Sequence, residues 1–390
     1  MTRRDLLRRV GLGAGAASLT AFLAACGISK EDTTTEEGEK NTLTTTEEVG
    51  NLNFANWPLY IDRSQGTRPT IDDFTEATGI TVNYKEVIDD NEGFFGTIQE
   101  PLSNDQAVEW DMIVVTDWMI AKMARLGYLE ELDHEQLPNF TANAGAIYKD
   151  PGYDPGNKYS VPWQSGITGV AYNPELTGRE LTSFDDLFDP AFAGKVGMFK
   201  EMRDTISLTM LSMGVEPSES TEDDLVAAQQ KLLQQRDDGI VRNYYGNEYA
   251  DALVRGDIWA TMAWSGDVFQ LQFDQPELQF YVPDTGGILW VDNMAIPDNA
   301  AAPIDAMRFM DYVYDPEVAA QITAWVNYIC PVPAAQEILA SAKDKYTQTV
   351  ANSPLVFPTP EMEANLHHYK DLDEDEEARW NDLFGEIIQG

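Results

Sequence analysis

One aspartate stands beside a tryptophan in an otherwise apolar stretch, GGILWVDNMAIP at residues 286–297. Trp290 and Asp292 are two positions apart, so in an extended strand both side chains leave the same face of the sheet. A buried carboxylate without a compensating cation costs several kcal/mol, and the face of an aromatic ring attracts cations. The pair therefore predicts a site for a positively charged group.

Aromatic and acidic residues recur where other apolar segments end. In open α/β sheets, ligands bind in the crevice outside the carboxyl ends of the strands. Lys200 and Arg203 are the only bases near these ends, and no histidine lies there. A cavity lined by aromatic rings and by several separate carboxylates fits a slender organic polycation. The alkyl chain of such a ligand packs between the rings, and its ammonium groups pair with the carboxylates. The candidate residues are Trp57, Tyr60, Thr116, Trp118, Glu201, Asp204, Trp264, Asp267, Trp290 and Asp292.

Each candidate also has a purely structural explanation. A tryptophan at a strand end often fills a core, and an acid such as Glu201 or Asp204 often complements the dipole at a helix N-terminus. Asp292 could pair with a neighbouring base. The recurrence of the same residue types at several strand ends favours a binding site over these explanations.

Short apolar strands alternate with amphipathic helices along the chain, which is typical of an α/β protein with a mostly parallel sheet. Two further stretches, at 159–173 and 286–297, read as strands that cross between two lobes. The predicted strands are 52–57, 80–87, 110–116, 195–200, 240–245 and 258–264, and the predicted helices are 70–79, 91–102, 118–127, 203–213, 223–236 and 248–256.

The first residues resemble a twin-arginine export signal joined to a lipobox. Arg3 and Arg4 precede a short apolar run rich in glycine and alanine, and LAA precedes Cys26. A transmembrane anchor is the alternative, but the run is short for a bilayer. We therefore predict that residues 1–25 direct export and that Cys26 is lipidated, which anchors the protein to the outer face of the cytoplasmic membrane.

Residues 26–50 are rich in threonine and glutamate and poor in large apolar side chains, so we predict a flexible acidic tether. The folded part begins near Asn51 and contains about 340 residues, which favours two lobes over one small core. We place lobe 1 at 51–162 plus 293–336 and lobe 2 at 163–292 plus 337–390, with the ligand cleft between them.

The chain has 66 acidic and 26 basic residues and a net charge of -40. The acids are spread along its whole length, and aromatic and branched apolar residues stay plentiful, so the composition is not that of a disordered protein. It is typical of proteins from high-salt habitats, such as those of halophilic archaea, and argues against nucleic acid as a partner. Most carboxylates therefore serve the solvated surface, and only those in apolar or aromatic context indicate a site.

The sequence offers little for catalysis or metal binding. Cys330 is the only cysteine besides Cys26, and the histidines at 134, 367 and 368 include no chelating pair. Motifs of serine hydrolases, zinc proteases and phosphate-binding loops are absent from the sequence. The acidic run 371–377 lacks the glycine that a calcium loop needs, so we predict a solvated helix face there. We predict no catalytic residue, metal or cofactor.

Five motifs resemble the spermidine/putrescine-binding proteins of bacterial ABC importers: NWPLYI, DMIVVTDW, the pair Glu201/Asp204, AWSGD and GGILWVDNMAIP, in this order. The resemblance runs from about Asn51 to the C-terminus. It implies a two-lobed type II binding-protein fold and an ABC permease as partner, and we expect a monomer. It also implies a role for each candidate residue. The hydroxyl comes from Thr116, the further aromatic contact from Tyr328, and the partners of the ammonium groups are Glu201, Asp204 and Asp292. The aromatic wall consists of Trp57, Tyr60, Trp118, Trp264 and Trp290.

The sequence departs from this family at three places. Pro58 and Leu59 stand where spermidine binders tend to have an acid, whereas Asp267 resembles the acid of the putrescine-binding branch. Lys370 falls near a glutamine that contacts ligand in some members, and a cation there would disfavour a long polyamine. The sequence leaves the choice among putrescine, spermidine and another organic cation open.

Two other classes of protein stay open. A secreted glycoside hydrolase also has paired carboxylates and aromatic walls, although these strand ends lack a wide set of polar sugar-binding side chains. A lipid-anchored receptor for an anion needs Arg, Lys or exposed helix N-termini in the cleft. The acids at the strand ends argue against such a receptor.

Overall fold

A computed structural model of the chain describes residues 46–389. The predicted export signal, Cys26 and most of the predicted tether lie outside the described residues. Between residues 46 and 389, no helix is both long enough and apolar enough to span a bilayer.

The described residues contain ten strands in one sheet. The strands are β1 Asn51–Asn56, β2 Thr81–Glu86, β3 Met112–Thr116, β4 Ser160–Tyr172, β5 Val196–Phe199, β6 Val241–Tyr245, β7 Ala260–Trp264, β8 Gln279–Tyr281, β9 Gly287–Ala295 and β10 Leu366–His367. Their order is β2-β1-β3-β9-β4-β7-β5-β6, with β10 beside β9 and β8 beside β4.

Each half of the sheet has a parallel core, as the alternation of strands and helices predicts. β1 is parallel to β2 and β3, and β5 is parallel to β6 and β7. The long strands β4 and β9 are antiparallel to each other and join the halves, because β9 also pairs with β3 and β4 also pairs with β7. They correspond to the two predicted crossings. The whole sheet is therefore mixed rather than mostly parallel.

Helices cover both faces of the sheet because its central strands are buried on both sides. In β3, Met112 and Val114 pack into one cluster and Ile113 and Val115 into another, as the two-residue period of a strand requires. The helices are Pro69–Thr78, Asn91–Ser103, Asp117–Arg125, Pro138–Asn143, Pro174–Thr177, Met202–Ser212, Glu222–Asp237, Tyr249–Val254, Ser265–Leu271, Pro303–Tyr312, Pro316–Val326, Ala335–Ala340, Lys345–Ala351, Pro360–Glu363 and Glu374–Ile388.

One segment that the sequence analysis assigns to lobe 2, residues 337–356, packs against helices that follow β9. Leu339 and Val350 are buried in the same cluster as Phe54 of β1. The short helices that carry them pack in succession after the helix Pro316–Val326. Trp380 of the last helix belongs to the second core. The lobe boundaries stay a prediction.

The acidic run at 371–377 starts a helix, as predicted. The Asp373 carboxylate accepts a hydrogen bond from the Glu376 amide, and the Glu376 carboxylate accepts one from the Asp373 amide. This reciprocal capping box satisfies two backbone donors at the helix start. The described part of the chain contains no group of histidine, cysteine and acidic side chains arranged to hold a metal ion.

Candidate ligand-binding site

One cavity of about 310 Å³ brings together all eleven candidate residues. They come from both halves of the sheet and from segments far apart in the sequence. That they share a cavity is a structural fact, whereas their contact with a ligand stays a prediction. The eleven are Trp57, Tyr60, Thr116, Trp118, Glu201, Asp204, Trp264, Asp267, Trp290, Asp292 and Tyr328.

Strand register brings the first-lobe residues of this cavity together. β1 ends at Asn56, and Trp57 and Tyr60 follow it. Thr116, the last residue of β3, is the register partner of Asp292 in β9. The hydroxyls of Thr116 and Tyr60 each donate a hydrogen bond of 2.7 Å to the Asp292 carboxylate. Three chain segments thus meet at one acid.

Asp292 has hydroxyl partners and no cationic partner among the described residues. It is only 7% exposed. Burial raises the pKa of Asp292 to about 6, and the hydrogen bonds from Thr116 and Tyr60 limit this rise. No basic side chain between residues 46 and 389 contributes to lowering that pKa. The explanation that Asp292 pairs with a neighbouring base is therefore wrong for this structure.

Glu201 and Asp204 lie at the start of the helix that follows β5, and they differ in their partners. Asp204 accepts hydrogen bonds from the hydroxyls of Thr168 and Tyr369, at 2.7 and 2.6 Å. The Glu201 carboxylate accepts no hydrogen bond from the described residues. Burial, and next the negative charge of Asp204, raise the pKa of Glu201 to about 7. Within the described residues, Glu201 therefore has no hydrogen-bond donor, and only the more distant positive charge of Lys200 acts to lower its pKa.

A pair of tyrosines connects Asp267 with Asp292. The Tyr328 hydroxyl donates a hydrogen bond of 3.0 Å to Asp267. Tyr60, which donates to Asp292, packs edge-on against Tyr328 with ring centroids 5.9 Å apart. The Tyr249 hydroxyl donates a second bond to Asp267, at 3.2 Å. Asp267 and Asp292 thus belong to one connected group in the same part of the cavity.

Trp290 and Tyr328 form an aromatic wall, with ring centroids 5.4 Å apart. Both rings lie against glycines. A Cβ at Gly166 would overlap the indole of Trp290, and a Cβ at Gly266 would lie 2.6 Å from the ring of Tyr328. Gly166 is the register partner of Trp290 across β4 and β9. The absence of a side chain at these two glycines is therefore what lets the rings approach the backbone.

Trp264 and Trp118 each lie against another side chain of the protein. Trp264 packs on Phe199, with ring centroids 4.4 Å apart. The guanidinium carbon of Arg203 lies 4.2 Å from the centroid of the Trp118 ring, and Arg203 also pairs with Glu377 at 3.5 Å. The Arg203 guanidinium thus covers one face of the Trp118 ring, and only the rest of this side chain faces the cavity.

The cavity also contains residues that the sequence analysis does not predict. Asp89, Asp90 and Asn91 closely follow β2, so their position after a strand end is a signal for them. Tyr369 has no such signal, because the strand before it, β10, is only 2 residues long. The additional lining residues are Pro58, Leu59, Asp89, Asp90, Asn91, Asn247, Ala250, Gln270, Leu271 and Tyr369.

Lys370 does not reach the cavity. Its ammonium group lies 2.7 Å from the backbone carbonyl of Ser220 and 2.7 Å from the Glu376 carboxylate. Between residues 46 and 389, the lining of this cavity includes no lysine, arginine or histidine. The possibility that Lys370 disfavours a long polyamine therefore has no support from the lining of this cavity.

Known proteins are similar to this chain over most of its length. Residues 70–357 match the family described as bacterial extracellular solute-binding protein. Over 320 residues the chain is 27% identical to the spermidine/putrescine-binding periplasmic protein 1 of Haemophilus influenzae, and the match covers 82% of each protein. Over 339 residues it is 26% identical to the putrescine-binding periplasmic protein SpuD of Pseudomonas aeruginosa, covering 82% of this chain and 87% of that protein.

A solved structure shares the fold. The spermidine/putrescine ABC transporter substrate-binding protein of Streptococcus pneumoniae superposes with a TM-score of 0.74 at 25% identity, over 87% of this chain and 98% of that chain. This match, with the mixed sheet and the helices on both of its faces, confirms the predicted α/β fold of the type II binding proteins.

Proposed function

This chain belongs to the family of bacterial extracellular solute-binding proteins, and we propose that it captures putrescine or spermidine outside the cell and delivers it to an ABC permease. Proteins of this family bind solutes for transport and are not enzymes, so the glycoside hydrolase alternative is excluded. In the mature protein that we propose, a lipid on Cys26 and the segment 26–50 tether a monomeric folded part to the outer face of the cytoplasmic membrane.

The observation that carries this proposal is a set of acids whose charge no basic side chain of the cavity compensates. Within the described residues, Asp292 accepts hydrogen bonds from hydroxyls, and Glu201 accepts none. Burial accordingly raises the pKa of Asp292 to about 6 and that of Glu201 to about 7, because a charge removed from water is destabilised. An ammonium ligand supplies the missing positive charge, whereas an anionic ligand would add to the repulsion.

The aromatic residues of the cavity support an organic cation rather than a metal ion. Trp264, Trp290 and Tyr328 line the same space as the acids. Ring faces pack against methylene groups and attract ammonium groups, so they suit a carbon chain with a charge at each end. An inorganic cation would use the acids and leave the rings without a role. The relatives named above bind polyamines of this kind, which supports the same ligand class here.

Selectivity over sodium and potassium depends on the exclusion of water. In ~1 M salt the Debye length is about 3 Å, so an exposed carboxylate distinguishes a diamine poorly from a simple cation. In a closed cavity, a charge-assisted hydrogen bond contributes about 1.5–3 kcal/mol. Closure of the two lobes over the ligand is the step that supplies this condition. The lobes touch beside the cavity, where Lys122 lies 3.3 Å from Glu377.

A thermal-shift panel in molar salt tests the proposal. A ligand that binds only the folded state raises the melting temperature by mass action. Putrescine and spermidine should raise it, whereas acetate, maltose and ammonium chloride at the same concentration should not. If no diamine or polyamine shifts the melting temperature, the proposed ligand class is wrong.

A further inference from the structure

Asn91 holds Thr116, the threonine that donates to Asp292, by two hydrogen bonds. The Thr116 amide donates to Oδ1 of Asn91 at 3.0 Å, and Nδ2 of Asn91 donates to the Thr116 hydroxyl oxygen at 2.9 Å. The Thr116 hydroxyl in turn donates to Oδ1 of Asp292 at 2.7 Å. Asn91 is therefore connected to Asp292 through a single hydroxyl group.

The direction of each hydrogen bond in this chain follows from the Thr116 amide. A backbone N–H only donates, so the Asn91 atom that faces it is the carbonyl oxygen. The other end of the Asn91 side chain is then the NH2 group, which also only donates, so the Thr116 hydroxyl oxygen must accept from it. The one hydrogen of the Thr116 hydroxyl is thus left for the Asp292 carboxylate.

The backbone on both sides of Asn91 is fixed. Asn91 is the first residue of its helix, and the Asp90 carboxylate caps this helix by accepting a hydrogen bond of 2.6 Å from the Gly93 amide. Upstream, the Val87 amide donates to the carbonyl of Asn56, the last residue of β1, at 3.1 Å. These contacts keep the Asn91 side chain within reach of the end of β3.

The Thr116 bond is the main contact that favours the charged form of Asp292. Burial raises the pKa of Asp292 to about 6, and the bond from Thr116 opposes this rise more than the bond from Tyr60 does. Asp117, on the helix after β3, and Asp292 repel each other. The other ionisable side chains that line the cavity within the described residues are Asp89, Asp90, Glu201, Asp204, Asp267, Tyr328 and Tyr369.

We propose that Asn91 is a positioning residue that commits the hydroxyl hydrogen of Thr116 to Asp292 and so keeps this carboxylate charged for the ammonium ligand, a role that rests on the proposed function above. A hydrogen bond donated to a carboxylate favours its ionised form. Each carboxylate oxygen can accept more than one hydrogen bond, so the Thr116 bond leaves capacity for an ammonium group. Asn91 needs no contact with the ligand for this role.

The variant Asn91→Asp keeps the size of the side chain and replaces its NH2 donor by an acceptor. The Thr116 hydroxyl then donates to the new carboxylate, and Asp292 loses this donor. The fold should be kept, because the helix dipole stabilises an acid in the first turn of a helix.

Calorimetric titration with putrescine at a series of pH values, from about pH 5 to about pH 8.5, measures the effect. We expect the pH at which amine affinity is lost to rise by about one to two pH units relative to wild type, the effect of one hydrogen bond to a charged group. At about pH 8.5 the affinity should at least match that of wild type. Since both proteins keep Glu201, the difference between their pH profiles reports on Asp292.

Asn247→Asp is the matched control, because it adds the same charge to the cavity lining. The described residues that hydrogen bond to the Thr116 side chain are Asn91 and Asp292, so this control leaves the hydroxyl in place and should shift the profile much less. Thr116→Val removes the hydroxyl without adding charge and should itself raise the pH at which affinity is lost. In that background, Asn91→Asp should add no larger shift than Asn247→Asp causes in wild type.

The outcomes separate this role from the proposed function. If wild type binds putrescine and Asn91→Asp shifts the profile no more than Asn247→Asp, the role of Asn91 is refuted and the proposed function stands. An equal loss of affinity at every pH in Asn91→Asp would also refute it, since it would indicate a direct contact with the ligand. If wild type binds neither putrescine nor spermidine, the proposed function fails and this role fails with it.

Discussion

Thr116 and Asp292 face each other across β3 and β9, and the threonine hydroxyl donates a hydrogen bond of 2.7 Å to the aspartate. Tyr60 donates a second bond of the same length from the segment after β1. These neutral donors fix the position of the carboxylate without cancelling its charge. A cation that binds to Asp292, as we propose, would break no ion pair among the described residues, which is the condition for a site preorganised for positive charge.

Amine affinity should fall as the solution is acidified from about pH 8 to about pH 5, because only ionised carboxylates pair with ammonium groups. Burial raises the pKa of Glu201 to about 7 and that of Asp292 to about 6, so Glu201 loses its charge first and Asp292 next. Calorimetry near neutral pH, in two buffers of different ionisation enthalpy, should also detect proton release on binding. Affinity that stays constant across this range would argue against both acids as ligand partners.

The ligand-free protein should respond to pH in the opposite direction. An acid whose pKa is raised in the folded state binds more protons when the protein is folded than when it is unfolded. At a pH above its pKa in the folded state, it therefore destabilises the fold. At a pH below its pKa in the unfolded state, it has no such effect. For Glu201, the destabilisation develops as the pH rises from the ordinary pKa of 4.5 to the folded-state pKa of about 7. Glu201→Gln should therefore raise the melting temperature of the ligand-free protein more at about pH 8 than at about pH 5. The exposed control Glu180→Gln should show no such difference between the two conditions.

Gly166→Ala should weaken amine binding through Trp290. The added Cβ would overlap the indole, and overpacking of this kind costs about 1–3 kcal/mol of stability. Because the indole must move away from the cavity wall, we expect a loss of about tenfold in affinity, measured by calorimetry. Gly96→Ala is a matched control, since a Cβ there would meet no atom within 4 Å. Wild-type affinity in Gly166→Ala would show that Trp290 does not contact the ligand.

Lys122→Met should accelerate ligand release. The Lys122 ammonium lies 3.1 Å from Glu92 and 3.3 Å from Glu377 of the last helix, so it joins the lobes beside the cavity. Stopped-flow dissociation at low salt should be severalfold faster, since pairs of this kind contribute up to about 1 kcal/mol, and the effect should shrink in molar salt. Lys158→Met, which removes a pair with Glu131 inside the first lobe, is the control and should not change the rate.

Membrane association should depend on Cys26. Replacement of Cys26 by serine removes the residue that we expect to be lipidated, so the exported protein should move from the membrane fraction to the soluble fraction. Replacement of Arg3 and Arg4 by lysine should instead retain the precursor inside the cell. Membrane association of the serine variant after export, or normal export of the lysine variant, would each contradict the corresponding step.

The positions of strand ends were enough to locate the cavity, because parallel strands bring their carboxyl ends to the same edge of each half-sheet. Trp57 after β1 and Trp264 at the end of β7 are examples, and the crossing strand that carries Trp290 and Asp292 was recognisable from the apolar residues on both sides of its single aspartate. These features depend on residues close together in the sequence, which is why the sequence predicts them.

Contacts between distant segments could not be predicted in the same way. The guanidinium of Arg203 covers one face of Trp118, and Tyr369 rather than Lys370 points into the cavity. Both depend on how the last segments of the chain pack against the second lobe, which no local pattern encodes. The packing of Leu339 with the first lobe has the same cause, because a short amphipathic helix can cover either core.

Calorimetric titration of wild type and Asp292→Asn with putrescine and spermidine, in the same molar salt, tests the central claim most directly. Asparagine keeps the shape of the side chain and removes its charge, so affinity should fall by about tenfold to a hundredfold, the effect of one charge-assisted hydrogen bond, while the ligand-free protein stays folded. The control Asp62→Asn alters a buried acid outside the cavity, bonded to Thr70 and Gln321, and should not change affinity. Unchanged amine affinity in Asp292→Asn, together with reduced stability of the ligand-free protein, would contradict a role for Asp292 in binding a cation.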